Sequence, residues 1–250
     1  MTVPLLEVRG LRKEYAQPFR VPGVQAPGTR ALELDFLEAR EGEAIAVTGP
    51  SGSGKTTLLH LLAALIRPTQ GVIRFGGMDL CSLGASAARW RALSVGYVFQ
   101  NMNLLPDFSL LENLTIAAEI SNVPRACVLA RVRVLLRRLG LDGASWHRRP
   151  SKLSLGEQQR AAVARAVLHA PPLILADEPT ASLDAENARL VADLLLELCA
   201  ESRSLLLVAT HDEAVKKRFS RILELRNHPE GGNLEGGNLK GRNLEGGTAP

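Results

Sequence analysis

Nothing in this sequence stays apolar for long. The most apolar stretch, Leu58 to Ile66, is nine residues long and carries His60, about half of the ~18–20 residues a membrane-spanning helix requires. Cysteine is scarce: Cys81, Cys127 and Cys199 are far apart and odd in number. They form neither a metal-ligand pattern nor a disulfide framework, so a reducing compartment is expected. The start, Met1-Thr2-Val3-Pro4, lacks the basic residues and apolar run of a secretory signal. Charge of one sign is lacking too. Thirty Lys and Arg against 26 Asp and Glu leave a net +4, too small and dispersed to argue for nucleic acid, and the densest cluster, His147-Arg148-Arg149, reads as a solvated surface. A soluble, cytoplasmic chain is expected.

What is present is a globular composition. In 250 residues, 46% are hydrophobic and 22% charged, which fits one α/β domain with a sizeable core, with or without a small inserted lobe. Two segments stand apart. Residues 16–30 hold three prolines and two glycines and read as a loop between two short strands. From His228 onward the chain repeats EGGNL-like units with a period of five. This resembles a pentapeptide repeat, but four glycine-rich copies cannot bury a core, so residues 227–250 are expected to be a disordered tail following a domain over 1–226.

Between these segments strand and helix alternate. Ala44–Thr48, Val95–Phe99, Leu173–Ala176 and Leu205–Ala209 are short apolar runs suited to strands covered on both faces. Helix-like sequence follows from Gly54 to Ile66 and over 185–201, where Leu190, Val191, Leu194, Leu195 and Leu198 share one face. The stretch 101–165 has little strand signal and includes a helix over Ala126–Leu139. The pattern predicts a mostly parallel sheet with helices on both sides and a helical lobe inserted between strands.

Gly49-Pro50-Ser51-Gly52-Ser53-Gly54-Lys55-Thr56 fits G-x-x-x-x-G-K-[ST], between a buried strand and a helix, and Thr57 continues it. Glycines let the backbone curl and aim its N–H groups at phosphates, aided by the positive end of the helix. Lys55 is suited to β- and γ-phosphates and the Thr56 hydroxyl to Mg²⁺. A glycine-rich turn with an incidental lysine is the plainer alternative, and the strand-loop-helix order weighs against it. The predicted strands end near Gln100, Asp177-Glu178 and Thr210-His211. Ligands of open parallel sheets bind at such carboxyl ends. Asp177 is suited to coordinate Mg²⁺, Glu178 to take a proton from an attacking water, Gln100 to sense metal and water, and His211 to donate to a γ-phosphate. Taken singly, Gln100 reads as a capped strand end and His211 as a surface histidine; sharing strand ends with the phosphate loop favours the functional reading. Ser154 and Glu157 in LSLGEQQR have capping-box spacing at a helix start that runs to about Ala170, and such a start also binds anions.

In this order, the phosphate loop, Gln100, LSLGEQQR, LILADEPT, Ser182-Leu183-Asp184 and His211 resemble the ATP-binding cassette ATPases over about residues 3–225. The resemblance implies a P-loop NTPase core with an N-terminal antiparallel β subdomain and an inserted helical subdomain. It also implies an ATP-hydrolysing homodimer with ATP and Mg²⁺, in which Ser154 and Gly156 meet the partner's γ-phosphate, Asp184 lies in the interface loop and Tyr15 stacks on adenine. The family's LSGGQ is LSLGE here, with Leu155 and Glu157 as departures, and both phosphate-contacting positions remain. GPSGSGKTTLLHLL and FQNMNLLPDFSLLENL resemble the lipoprotein-releasing and macrolide-exporting branch, which implies docking of residues 101–112 on a separate integral membrane permease at the inner face of the cell membrane. No nucleic acid partner is expected. A soluble cassette ATPase acting on DNA or ribosomes is the alternative, although the long insertions or paired cassettes of those proteins are missing; a P-loop kinase would have no use for the signature helix.

Overall fold

The computed structural model describes residues 4–15, 29–120, 125–141, 143–181 and 183–227. The proline-rich loop and the repeat tail of the sequence lie outside them. Two sheets form. The first is antiparallel, order β2-β1-β4-β5, from β1 (Leu6–Tyr15), β2 (Thr29–Ala39), β4 (Gln70–Phe75) and β5 (Met78–Asp79). The second is parallel, order β6-β7-β8-β3-β9, from β3 (Ala44–Thr48), β6 (Val95–Val98), β7 (Leu173–Asp177), β8 (Leu205–Ala209) and β9 (Arg221–Glu224).

The parallel sheet divides the core by simple alternation. Ile45, Val47, Leu173, Leu175, Leu205 and Leu207 face one cluster, shared with helix α1 (Lys55–Leu62) and the antiparallel sheet. Ala46, Ile174, Ala176, Leu206 and Val208 face the other, shared with α5 (Leu155–Val167) and α6 (Ala185–Ser202). Successive strand residues point to opposite faces, so a strand covered on both sides must be apolar throughout, as β7 and β8 are. Each such leucine contributes about 1.5–3 kcal/mol by leaving water. The second cluster continues through Leu114 of α3 (Leu110–Ile120) and Val132 and Leu136 of α4 (Arg125–Arg138), so the helical segment shares its core with the sheet. Gly96 of β6 carries the tightest approach: a Cβ there would lie 2.1 Å from the Ala166 carbonyl oxygen of α5.

Element ends differ from the sequence reading in understandable ways. The strands flanking the proline-rich segment are long, because β1 and β2 pair from Leu6↔Ala39 to Tyr15↔Thr29. Helix α1 stops at Leu62, and Ala64 takes a left-handed φ of 50°, before Arg67-Pro68 is reached. Helix α5 ends at Val167, with Ala170 at φ 49°. On α6, Val191, Leu195 and Leu198 are buried, but Leu190 is 57% exposed, so the apolar stripe is narrower than its leucines suggest. The remaining helices α2 (Ala87–Ser94) and α7 (Glu213–Lys216) are short. Among the described residues no helix is long and apolar enough to cross a membrane.

Candidate functional site

Strands β3, β7 and β8 are parallel and adjacent, with Asp177 beside Ala209 and Val47 beside Ala209 in register. Their carboxyl ends therefore deliver the phosphate loop, Asp177-Glu178 and Thr210-His211 to one edge. Strand β6 pairs Val98 with Ala176, which puts Gln100, two residues on, at the same edge with an exposed side chain.

The loop itself leaves no room for a side chain at two of its glycines. Gly49 and Gly54 have φ of 149° and 90°, and a Cβ on either would meet a backbone oxygen, Leu225 at 2.4 Å or Ala31 at 2.3 Å. Lys55, almost fully buried, folds its Nζ back to donate to the carbonyls of Gly49 (2.9 Å) and Pro50 (3.0 Å). The Ser53 hydroxyl is buried with no partner among the described residues. A buried ammonium held only by carbonyls and an orphaned hydroxyl in a glycine cradle fit a phosphate group well. For a metal, the nearby donors are the Thr56 hydroxyl, the Asp177 carboxylate and the Gln100 amide, all hard oxygens of the kind Mg²⁺ takes together with phosphate oxygens.

Asp177 is 4% exposed. Burial raises its pKa, the Thr56 hydroxyl bond opposes this, the Glu178 charge adds to it, and His60 and Lys55 oppose it. His60 follows Thr56 by one helical turn, so both reach Asp177 from one face of α1; that spacing was readable from sequence and passed unused. Tyr97 packs beside His60, ring centroids 5.9 Å apart, and stacks on Phe99 at 4.1 Å. Burial and the Asp177 charge both push its phenol pKa up.

Glu178 is held in the left-handed region at φ 48°, with its N–H donating to Ala209 O at 2.9 Å. A non-glycine residue there is strained, and such strain gathers at functional sites. The side chain is partly exposed, and its Oε1 lies 3.2 Å from Nδ1 of His211. The strand-end pair thus forms a contact that sequence position alone implied only loosely. Tyr15 sits at the corner of the antiparallel sheet nearest the loop: it pairs with Thr29, and Ala31 of the same strand touches Gly54. Its ring is 45% exposed, with the Lys13 ammonium 5.1 Å from its centre.

A second group lies at the start of α5. Ser154 Oγ accepts from the Glu157 N–H (3.3 Å) and Glu157 Oε2 accepts from the Ser154 N–H (2.7 Å), a reciprocal capping box. Glu157 Oε1 also accepts from Ser145 (3.2 Å), and these bonds, the Ser154 N–H foremost, hold its pKa down. Asp184 does a parallel job unforeseen from sequence: Oδ1 caps α6 through Glu186 N (3.1 Å) and Asn187 N (2.9 Å). Asn187 donates to Asp184 Oδ2 and accepts from Arg160 of α5, so the start of α6 is bonded to α5. Leu155, in place of the expected glycine, is 46% exposed.

Comparison with known proteins bears on the family and the fold. The family model described as ABC transporter matches residues 34–181. The chain is 41% identical over 224 residues to the lipoprotein-releasing system ATP-binding protein LolD of Syntrophus aciditrophicus, covering 89% of this chain and 97% of that protein. It is 40% identical to the macrolide export ATP-binding/permease protein MacB of Nitrosomonas europaea over 90% of this chain but 33% of that one. The pyoverdine export ATP-binding/permease protein PvdT of Pseudomonas entomophila is also 40% identical, and the chain spans 34% of it. Among solved structures, the dimeric ATP-binding cassette MJ0796 bound to ADP and Pi superposes with a TM-score of 0.77 at 30% identity, over 88% of this chain and 94% of that one.

Proposed function

We propose, from the premise that this chain belongs to the ABC transporter family and is an ATPase of that family, that it drives a separate membrane permease of the lipoprotein-release or export type. Support for the division of labour comes from the similarity to LolD, an ATP-binding protein of a lipoprotein-releasing system; the chain spans about a third of the ATP-binding/permease relatives it also matches. A peripheral place at the inner face of the membrane follows from that reading, and the exposed Leu105 (41%) and Phe108 (42%) are the surface offered to the permease.

In the proposed reaction Lys55 exchanges its two carbonyl partners for β- and γ-phosphate oxygens, while the loop N–H groups hold the chain of phosphates in place. Thr56, Asp177 and Gln100 would hold Mg²⁺, which when bound neutralises developing phosphate charge. Glu178 takes the proton of the attacking water, and the P–O bond to the ADP leaving group breaks as the new P–O bond forms. His211, in contact with Glu178, keeps that carboxylate aimed and donates toward the γ-phosphate. Ser154 and Gly156 meet the γ-phosphate held by a second copy, with Asp184 in the loop between.

One observation carries this reading: Lys55, Asp177 and the Glu178–His211 pair converge at neighbouring strand ends. Glu178→Gln tests it. Removing a positioned base costs ~10²–10⁴ in rate, so this variant is expected to bind ATP, hydrolyse it very slowly and accumulate as an ATP-dependent dimer by size-exclusion mass. Adding Ser154→Arg is expected to abolish that dimer. Hydrolysis near the wild-type rate would remove Glu178 from the role of base; a variant that binds ATP and stays monomeric would mean the pairing needs the permease.

A further inference from the structure

The turn after Gln100 is costly to hold. Met102 and Asn103 have φ of 58° and 49°, and two consecutive non-glycine residues in the left-handed region are strained. Local bonds support the turn only in part: Met102 N–H donates to Phe99 O at 2.9 Å, and Asn103 N–H to Asn101 O at 2.5 Å. The remaining support comes from 62 residues away. Arg165 of α5 donates from Nη1 to Asn103 O and from Nη2 to Met102 O, each at 2.7 Å. Burial lowers the pKa of this guanidinium, and two backbone carbonyls receive it. A planar fork across two consecutive carbonyls is geometry that lysine's point charge cannot copy.

The same helix presents Ser154 at its other end, eleven residues earlier, and an α-helix of three turns moves as a rigid rod. Gln100 lies two residues before the strained pair, beside the strand end that carries Asp177. We propose that Arg165 is a positioning residue that ties the Gln100 turn to α5, so that any movement of the serine end of that helix is transmitted to Gln100. This rests on the reading of Gln100 as the side chain that senses metal and attacking water. Without Arg165 the two left-handed residues relax, and the amide loses its place at the strand edge.

The test is single-turnover hydrolysis and ATP affinity of the full chain for Arg165→Ala, Arg165→Lys, Gln100→Ala and the Arg165→Ala/Gln100→Ala double variant. Misplacing a reacting group by about 1 Å costs up to ~10²-fold, so Arg165→Ala is expected to bind ATP normally but turn over ~10–100-fold more slowly. Arg165→Lys is expected to recover part of that loss, and the double variant to be no slower than the slower single one, as residues acting through one another are non-additive. Wild-type turnover in Arg165→Ala beside a slow Gln100→Ala overturns the tie alone, as do rate losses that multiply in the double variant. Wild-type turnover in Gln100→Ala overturns the reading of Gln100, and the tie with it. Should Arg165→Ala fail to fold, Arg165→Lys decides, and full activity there overturns the proposal.

Discussion

The phosphate loop and the start of helix α5 are both glycine-bearing helix N-termini, yet the structure treats them in opposite ways. The loop is enclosed. Lys55 is buried, Gly54 touches β2, and a side chain at Gly49 or Gly54 has no room. The α5 start is open, with Ser154 and Leu155 exposed, and at Gly156 a Cβ would meet only the flexible end of Arg160 at 3.3 Å and Leu183 at 3.7 Å. Within it the Ser154 and Glu157 N–H groups are taken up by the reciprocal capping box, and Arg160, further along the helix, donates to Asn187 beside Asp184. On the proposed reading, the first region receives a ligand from within the protomer and the second presents its surface outward to a second copy.

The sharpest way to break this comparison is to make the same substitution in both places. Gly54→Ala places a methyl group 2.3 Å from the Ala31 carbonyl at a φ of 90°, and such a conformation costs of order 1–3 kcal/mol. ATP binding is expected to vanish and the melting temperature to fall. Gly156→Ala lies inside a helix at ordinary φ, where alanine is favoured over glycine by about 0.5–1 kcal/mol. It is expected to melt at or above the wild type and bind ATP, and, combined with Glu178→Gln, to lose the ATP-dependent dimer of that variant. A calorimetric melt, nucleotide titration and size-exclusion mass on both variants decide it. If Gly156→Ala combined with Glu178→Gln dimerises normally, the α5 start is not the second half of the site.

The parts of the molecule legible in the sequence were those set by local repetition or by contiguous motifs. Continuous apolar runs gave the strands of the parallel sheet, and their order along the chain gave the shared edge of Asp177 and His211. Glycine spacing gave the loop. What stayed hidden was long-range and geometric. Asp184 looked like a loop residue because its capping role depends on where α6 starts, and nothing singled out Arg165, whose partners are carbonyls in a distant turn. The strain at Glu178 is a backbone property that side-chain identity does not announce. The excess leucine at position 190 misled because amphipathic spacing says which residues share a face, and burial depends on what covers it.

A gentler probe concerns the outward surfaces. Leu105 and Phe108 sit in the segment between Gln100 and α3, each about two-fifths exposed. Asn113 pins this segment from within, accepting from Leu105 N–H (2.7 Å) and donating to the Leu105 and Phe108 carbonyls. Because the backbone is held by Asn113 and the side chains are exposed, Leu105→Ser with Phe108→Ser is expected to shift stability by no more than ~0.5 kcal/mol per position. Nucleotide binding should be untouched, while co-purification with the permease falls. Unchanged co-purification would place the docking surface elsewhere and leave the two-region comparison standing.

The smallest expected effect lies at the far end of α5. Both ring nitrogens of His169 are buried without a partner among the described residues. Burial first, and the Arg131 charge second, lower its pKa from the ordinary 6.5. The folded chain therefore resists a proton that the unfolded chain accepts near pH 6.5, so this contribution to stability is complete above that pH and declines as pH falls through it. The loss levels off only below the depressed pKa of the folded state. Denaturant unfolding of the wild type at pH 8, 7, 6 and 5.5 should show a decline across that window. His169→Leu removes the titrating group and two orphaned polar atoms, whose burial without a bond is unfavourable. It is expected to be at least as stable at pH 8 and to show a shallower acid decline, with ATP binding unchanged at every pH, since the ring stands at the end of α5 remote from the phosphate loop in sequence and in role. A decline of equal slope in both proteins would assign the acid sensitivity to other groups.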